Sequence, residues 1–236
     1  MDAIPRSLRV VFGALLLVLP LGTMTRGWIA DNRPAAPAPA PTTTILFSID
    51  QKDGSYERFQ ISLDETGRGK FEAKPRDGEL IKREFEVGQE TLERLLSSFD
   101  AAQFLSSTQD YESHLKVANT GLKTIVFEQN GRSREVHFNY TLDKHVAAIA
   151  DMMTGLITTE LRINELETAM KYDKLGLPNQ LDALQTELKN HWIEDPRQLI
   201  PFLTKIANNQ AYFNMVQRKA KELILQIESA KRAKSK

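Results

Sequence analysis

The chain has 236 residues, 41% apolar, 26% charged and 8% aromatic, and its 31 basic residues balance 31 acidic ones. The apolar content excludes wholesale disorder, and the charge balance excludes a global field that would gather nucleic acid or anionic lipid. The absence of cysteine excludes disulfide frameworks, thiol nucleophiles and cysteine-ligated zinc or iron–sulfur centres.

Arg6 and Arg9 precede an apolar run that starts at Val10, passes Leu21 and reaches Thr25 before Arg26 stops it. A basic flank followed by such a run is the pattern read by the secretion machinery, so residues 1–30 are expected to be a signal peptide or signal anchor. Ala30 offers a small residue for cleavage, but Trp28 stands where a second small residue is needed. The run from Val10 to Thr25 is short of the roughly 17 to 25 residues of a transmembrane helix unless Trp28 and Ile29 join it at the interface. Cleaved and membrane-anchored forms both stay open. A lipid-modified N-terminus needs a cysteine and is excluded. Either form places the remainder in the periplasm or another extracytoplasmic space, held at the inner membrane if the segment is uncleaved.

Residues 31–42 form a Pro/Ala-rich linker. Its core, Arg33 to Pro41, alternates proline and alanine, which favours polyproline II geometry and a reach of roughly 28 Å. Folded structure is expected over residues 43–171. Ile45, Phe47 and Ile49 alternate with more polar positions; turn residues 52–55 lead to Phe59, Ile61 and Leu63. Turns at Thr66–Gly69 and Pro75–Gly78 set off strands around Phe71 and around Ile81, Phe85 and Val87, giving a four-stranded antiparallel meander. Leu92, Leu95, Leu96 and Phe99 have helical spacing, so a helix over residues 89–102 can cover one sheet face. Asn130-Gly131 predicts a tight hairpin between a strand from Gly121 and one over Glu135–Tyr140, with Val136, Phe138 and Tyr140 inward. Asp143 is placed to cap a long helix whose stripe runs through Val146, Ile149, Met153 and Leu156, in which Gly155 and Thr158-Thr159 are residues able to bend it. These elements predict an α+β fold: an antiparallel sheet with covering helices, followed by a small α-helical hairpin region.

From Ile45 to Tyr140 the glycine-punctuated meander, leucine-rich helix and NG hairpin resemble small exported bacterial domains of unknown function. The resemblance implies an envelope location and names no activity.

Residues 172–236 read as helical, with a basic tail. Gly176-Leu177-Pro178 interrupts the long helix, and Leu181, Leu184 and Leu188 form a short stripe. Asp195-Pro196 predicts a helix start with the carboxylate as cap, followed by Leu199, Ile200, Phe202, Leu203 and Ile206; Tyr212 to Ser229 makes a further helix. Asp195-Pro196, Ile200–Leu203 and the set Val216, Arg218, Ala220 and Leu223 resemble a single HEAT-type repeat. That would imply a helix-pair surface for protein contacts and no chemistry. Asn208-Asn209 and the insertion of Gln217 depart from that pattern. The plainer reading, carried forward, is an antiparallel helical hairpin packed on its own domain. The last twenty-one residues hold seven basic against two acidic side chains, most densely in Lys231–Lys236; a solvated helix end complementing the macrodipole accounts for them, and contact with anionic headgroups is the alternative.

No residue earns a catalytic, cofactor or metal assignment. His137 shares the polar strand face with Glu135 and Asn139. His145 lies two residues from Asp143, off its helical face. His191, beside Trp192 at a helix end, is expected to pack or cap. GxSxG, HExxH and phosphate-loop motifs are missing. Asp64 and Glu65 point to opposite strand faces. The expected role is therefore a non-enzymatic envelope module, exported or membrane-anchored, that binds an unidentified protein or wall component and no nucleic acid. The alternative is a hydrolase or isomerase whose dispersed site draws on Asp110, Tyr111, Glu112 and His114.

Overall fold

A computed structural model describes residues 42–234, with side chains to residue 230. The segment expected to be a signal or anchor, nearly all of the expected linker and the end of the basic tail lie outside the described residues. Among the described residues, no helix is long and apolar enough to cross a membrane.

Six strands form one antiparallel sheet: β1 (Thr43–Asp50), β2 (Tyr56–Asp64), β3 (Arg68–Pro75), β4 (Ile81–Glu86), β5 (Leu122–Gln129) and β6 (Arg132–Phe138), in the order β4-β3-β2-β1-β5-β6. The expected meander is present. The NG hairpin extends it, because β5 pairs with β1, placing Phe47 between Ile61 and Ile125. Strict alternation turns Ile45, Phe47, Ile49, Phe59, Ile61, Leu63, Phe71, Ile125 and Phe127 to one face, where all are buried. The other face carries opposed charges on neighbouring strands, Lys70 facing Glu84 and Glu72 facing Lys82, which keeps it solvated. The edge strand β4 carries Lys82, Arg83, Glu84 and Glu86, a charge density that discourages pairing with another chain.

Five α-helices follow or interrupt the strands: α1 (Gln89–Ala101), α2 (Lys144–Tyr172), α3 (Leu177–Lys189), α4 (Ile200–Asn208) and α5 (Asn214–Lys234), with a 3-10 turn at Pro196–Leu199. The result is an α+β fold. α1 and the first half of α2 cover the apolar sheet face through Leu92, Leu95, Phe99, Val146, Ile149, Met153 and Leu156. The second half of α2, from Ile163 to Ala169, forms a separate core with α3, α4 and α5. The two cores thus meet midway along α2.

Helix α2 runs unbroken from Lys144 to Tyr172, and Gly155 in it serves close approach, since a Cβ there would come 2.8 Å from Cβ of Glu194. Two expectations are corrected. Tyr140 lies beyond β6 and is 44% exposed, so it is outside the inward set. Asp195 makes no side-chain cap on its own helix; with φ of 47° it turns its carboxylate to α1 instead. Asp143 does cap α2, accepting from the backbone N–H groups of His145 and Val146 at 2.9 and 3.0 Å.

Candidate functional site

The long connection from α1 to β5 begins with Gln103 in a left-handed conformation, which lets Phe104 N–H reach back to the Phe99 carbonyl at 3.1 Å and Gln103 N–H to Asp100 at 2.9 Å. The chain then runs along β6. Arg134, on the inner face of that strand, donates to the carbonyls of Phe104 and Gln109, both at 2.7 Å, and to the Tyr111 hydroxyl at 3.3 Å. Its guanidinium also lies 5.3 Å from the Phe104 ring centre and 4.9 Å from that of Tyr111. One arginine therefore fixes both ends of this stretch.

Beyond Tyr111 the connection is tied to the segment after β6. Ser113 N–H donates to Tyr140 O at 2.8 Å, and Glu112 Oε2 accepts from Asn139 N–H at 2.6 Å. Asn139 in turn accepts from Thr120 N–H at 2.9 Å and donates to Ala118 O at 3.2 Å. Lys123 Nζ donates to Asn139 O at 2.9 Å, and burial holds this amine below the ordinary lysine range, against the opposing pull of Asp151 and Glu112. Between residues 109–115 and Thr141–Asp143 this arrangement leaves a hollow of about 340 Å³. A second hollow of about 490 Å³ lies on the other side of Asn139, among Asp50, Gln51, Lys52, Asn119 and Leu122. Leu115, Val117, Leu122, Tyr140 and Leu142, between 40% and 65% exposed, stand around this end of the sheet.

The residues of the dispersed catalytic alternative are placed as follows. Tyr111 is buried, with its hydroxyl on Arg134. Asp110 Oδ1 accepts from Glu112 N–H at 3.0 Å, a local turn contact. Glu112 holds Asn139, and His114 is exposed at the hollow's margin. All four thus line one hollow while the bonded atoms hold the loop in shape. His137 bonds to Thr124 and Glu135 on the polar sheet face, at 3.0 and 3.3 Å. His191 is exposed; it closes α3 from the left-handed position, letting Trp192 N–H reach Glu187 O at 3.0 Å. Among the described residues, no group of three or more His, Asp or Glu side chains could hold a metal ion.

A second polar assembly lies where the two cores meet. Glu160, on α2, is 1% exposed, and Arg83 Nε of β4 donates to its Oε2 at 3.1 Å while also pairing with Glu167. Oε1 of Glu160 has no hydrogen-bond partner. Burial pushes this carboxyl up to about 7; Arg83 opposes the rise, and Glu167 and Asp195 add to it. Nearby, Asp195 Oδ2 accepts from Gly88 N–H, at the start of α1, at 2.6 Å. The Thr159 hydroxyl lies 2.6 Å from Glu194 O, and Arg94 pairs with Glu194. Arg83, between Ile81 and Phe85, and Arg134, two before Val136, each put a charge on the apolar strand face, a signal that alternation carries; for Glu160 only the packing shows the burial, which is nearly complete there and partial at the two arginines.

A wider hollow, about 750 Å³, opens on the polar sheet face near Ser62, Asp64, Arg68, Lys70, Glu84 and Glu86. Arg68 faces Glu86 and Lys70 faces Glu84 across the β3–β4 pair, so its charges neutralise one another and present no field of one sign. The apolar-rimmed hollows beside Asn139 are the better candidate for binding. No family model matches the chain, and no curated protein matches it in sequence.

Proposed function

We propose that this chain is a non-enzymatic binding module of the bacterial cell envelope, exported by its N-terminal segment and anchored to the membrane by that segment where it is uncleaved, and that it takes its partner at the end of the sheet around Asn139. The observation that carries the reading is the pairing of a rigid polar scaffold with an apolar rim. Glu112, Asn139, Lys123 and Arg134 fix the loop through backbone-directed bonds, while Leu115 and Leu142 stay 57% and 65% exposed beside the hollow. Exposed apolar side chains on a pre-organised loop lower the ordering cost of association. A partner with exposed apolar or aromatic side chains suits hollows with such a rim.

Two measurements test this. Cell fractionation followed by N-terminal sequencing of the mature chain should recover it in the envelope, with or without its first thirty residues; recovery of the intact chain in the soluble cytosol overturns export. A photo-crosslinking amino acid at Leu142 should give a discrete adduct in the envelope that the same probe at Lys74, on the polar sheet face, does not give. Equal labelling at both positions removes the groove from consideration.

A further inference from the structure

The helical region presents a second exposed surface, at the end where its turns gather. Helix α2 ends at Tyr172 and α3 begins at Leu177; α4 ends at Asn208 and α5 begins at Asn214. The Tyr212 hydroxyl donates to Met170 O at 3.4 Å, joining the second turn to the end of α2. Lys219 Nζ lies 2.9 Å from Asp182 Oδ1, so the sixth residue of α5 stands beside the sixth of α3 and both helices leave from the same end. At that end Leu175 is 79% exposed, Tyr172 73%, Phe213 68% and Met215 59%. The turns that carry them are anchored: Leu177 and Tyr212 are buried, and Asp173 Oδ1 accepts from Gly176 N–H at 2.9 Å.

We infer that this turn end is a docking tip for an anionic bilayer surface, inserting Tyr172, Leu175, Phe213 and Met215 among the headgroups while Lys171 and Lys174 meet the lipid phosphates. The inference rests on the membrane-tethered reading above. Charge selects the occupant. Both lysines are exposed, and the one acidic group among residues 171–176, Asp173, is turned onto the backbone of its own turn. Lys171 Nζ sits 4.7 Å from the Tyr172 ring centre, so cation and aromatic face act together. Shape agrees: two neighbouring turns at the end of a helix bundle project apolar side chains outward, which suits a deformable interface, and lysine stems reach from an apolar contact to a charged layer. In the tethered reading the Pro/Ala sequence, whose composition favours an extended reach of roughly 28 Å, is the link between anchor and folded part.

The chain lacks cysteine, so single-cysteine labelling of the full-length protein is clean. Leu175→Cys, Phe213→Cys and Leu225→Cys are each labelled with bimane. Leu225 is 65% exposed but lies well along α5, and serves as the control. The proteins are reconstituted with vesicles of mixed phosphatidylglycerol and phosphatidylcholine containing nitroxide-labelled lipid, with folding checked by far-UV circular dichroism. Quenching is expected to be several-fold greater at residues 175 and 213 than at 225. Replacing both lysines, Lys171→Gln with Lys174→Gln, is expected to reduce the docked-to-undocked ratio on the order of tenfold, and pure phosphatidylcholine to do the same. Equal quenching at 175 and 225 in a chain that still floats with vesicles after carbonate extraction overturns the tip and leaves the tether standing. Tip quenching in a chain that floats only with anionic vesicles and is stripped by carbonate overturns the tether and supports the tip. Failure to float with either vesicle overturns both.

Discussion

Glu160 is the residue whose chemistry departs furthest from its ordinary state. Its carboxyl titrates near 7 in the folded protein against an ordinary 4.5, because burial disfavours its charge more than Arg83 favours it. The folded state therefore holds a proton that the unfolded chain gives up. The stabilisation is complete below about pH 4.5 and is lost as pH rises through about 7. Glu160→Gln keeps the shape and removes the titration, so it is expected to be nearly neutral at pH 5 and to stabilise at pH 8 by roughly 2 to 3 kcal/mol. Urea midpoints of both proteins at the two pH values check this; an equal difference at both would place the cause outside ionisation. Arg83→Met removes the only side-chain donor to Glu160 among the described residues. It should destabilise at pH 8 by about 3 to 5 kcal/mol, and less at pH 5, where the carboxyl is neutral.

At the scale of elements, the connection between α3 and α4 holds the two cores together by backbone contact. Gly155→Ala improves helix propensity by roughly 1 kcal/mol, yet its methyl would meet Glu194 Cβ at 2.8 Å and Glu194 N at 3.2 Å. The net effect is expected to be a loss of about 1 to 3 kcal/mol, with new protease cleavage between residues 190 and 198. Asp195 combines a left-handed backbone with the acceptor for Gly88 N–H. Asp195→Ala loses the bond and keeps the strain; Asp195→Gly loses the bond and relieves it. The glycine variant should be the more stable of the two by on the order of 1 kcal/mol in chemical denaturation. These features also mark where sequence reading stops. Alternation at Ile45–Ile49, the NG turn and the Leu92–Phe99 stripe were legible because each rests on neighbours in the chain. The β5–β1 pairing, Asp195 reaching α1 and Arg134 bracing the loop rest on partners tens of residues away, to which local periodicity is blind. The residues of the dispersed catalytic alternative, Asp110, Tyr111, Glu112 and His114, line one hollow, but the bonds of Tyr111 and Glu112 could be read only once Arg134 and Asn139 were placed beside them.

At the scale of the whole molecule, the continuous α2 joins a sheet-based core to a helical one, from Val146 to Ala169. With Arg83, Glu160, Thr159 and Asp195 bridging the junction, the two are expected to unfold together. In a Trp28→Phe variant, whose remaining tryptophan is Trp192, the fluorescence and far-UV circular dichroism transitions in urea should coincide; an early fluorescence change would show the helical core melting by itself. The bond from Asp195 to Gly88 spans 107 positions of sequence. Because the chain emerges N-terminus first, from the ribosome and across the membrane alike, the amide of Gly88 waits for its acceptor until most of the remaining chain has followed. The sheet half is thus delivered before its fastening, and a chain halted before residue 195 would carry an α1 whose preceding amide has yet to meet its acceptor, a natural point for a chaperone to hold.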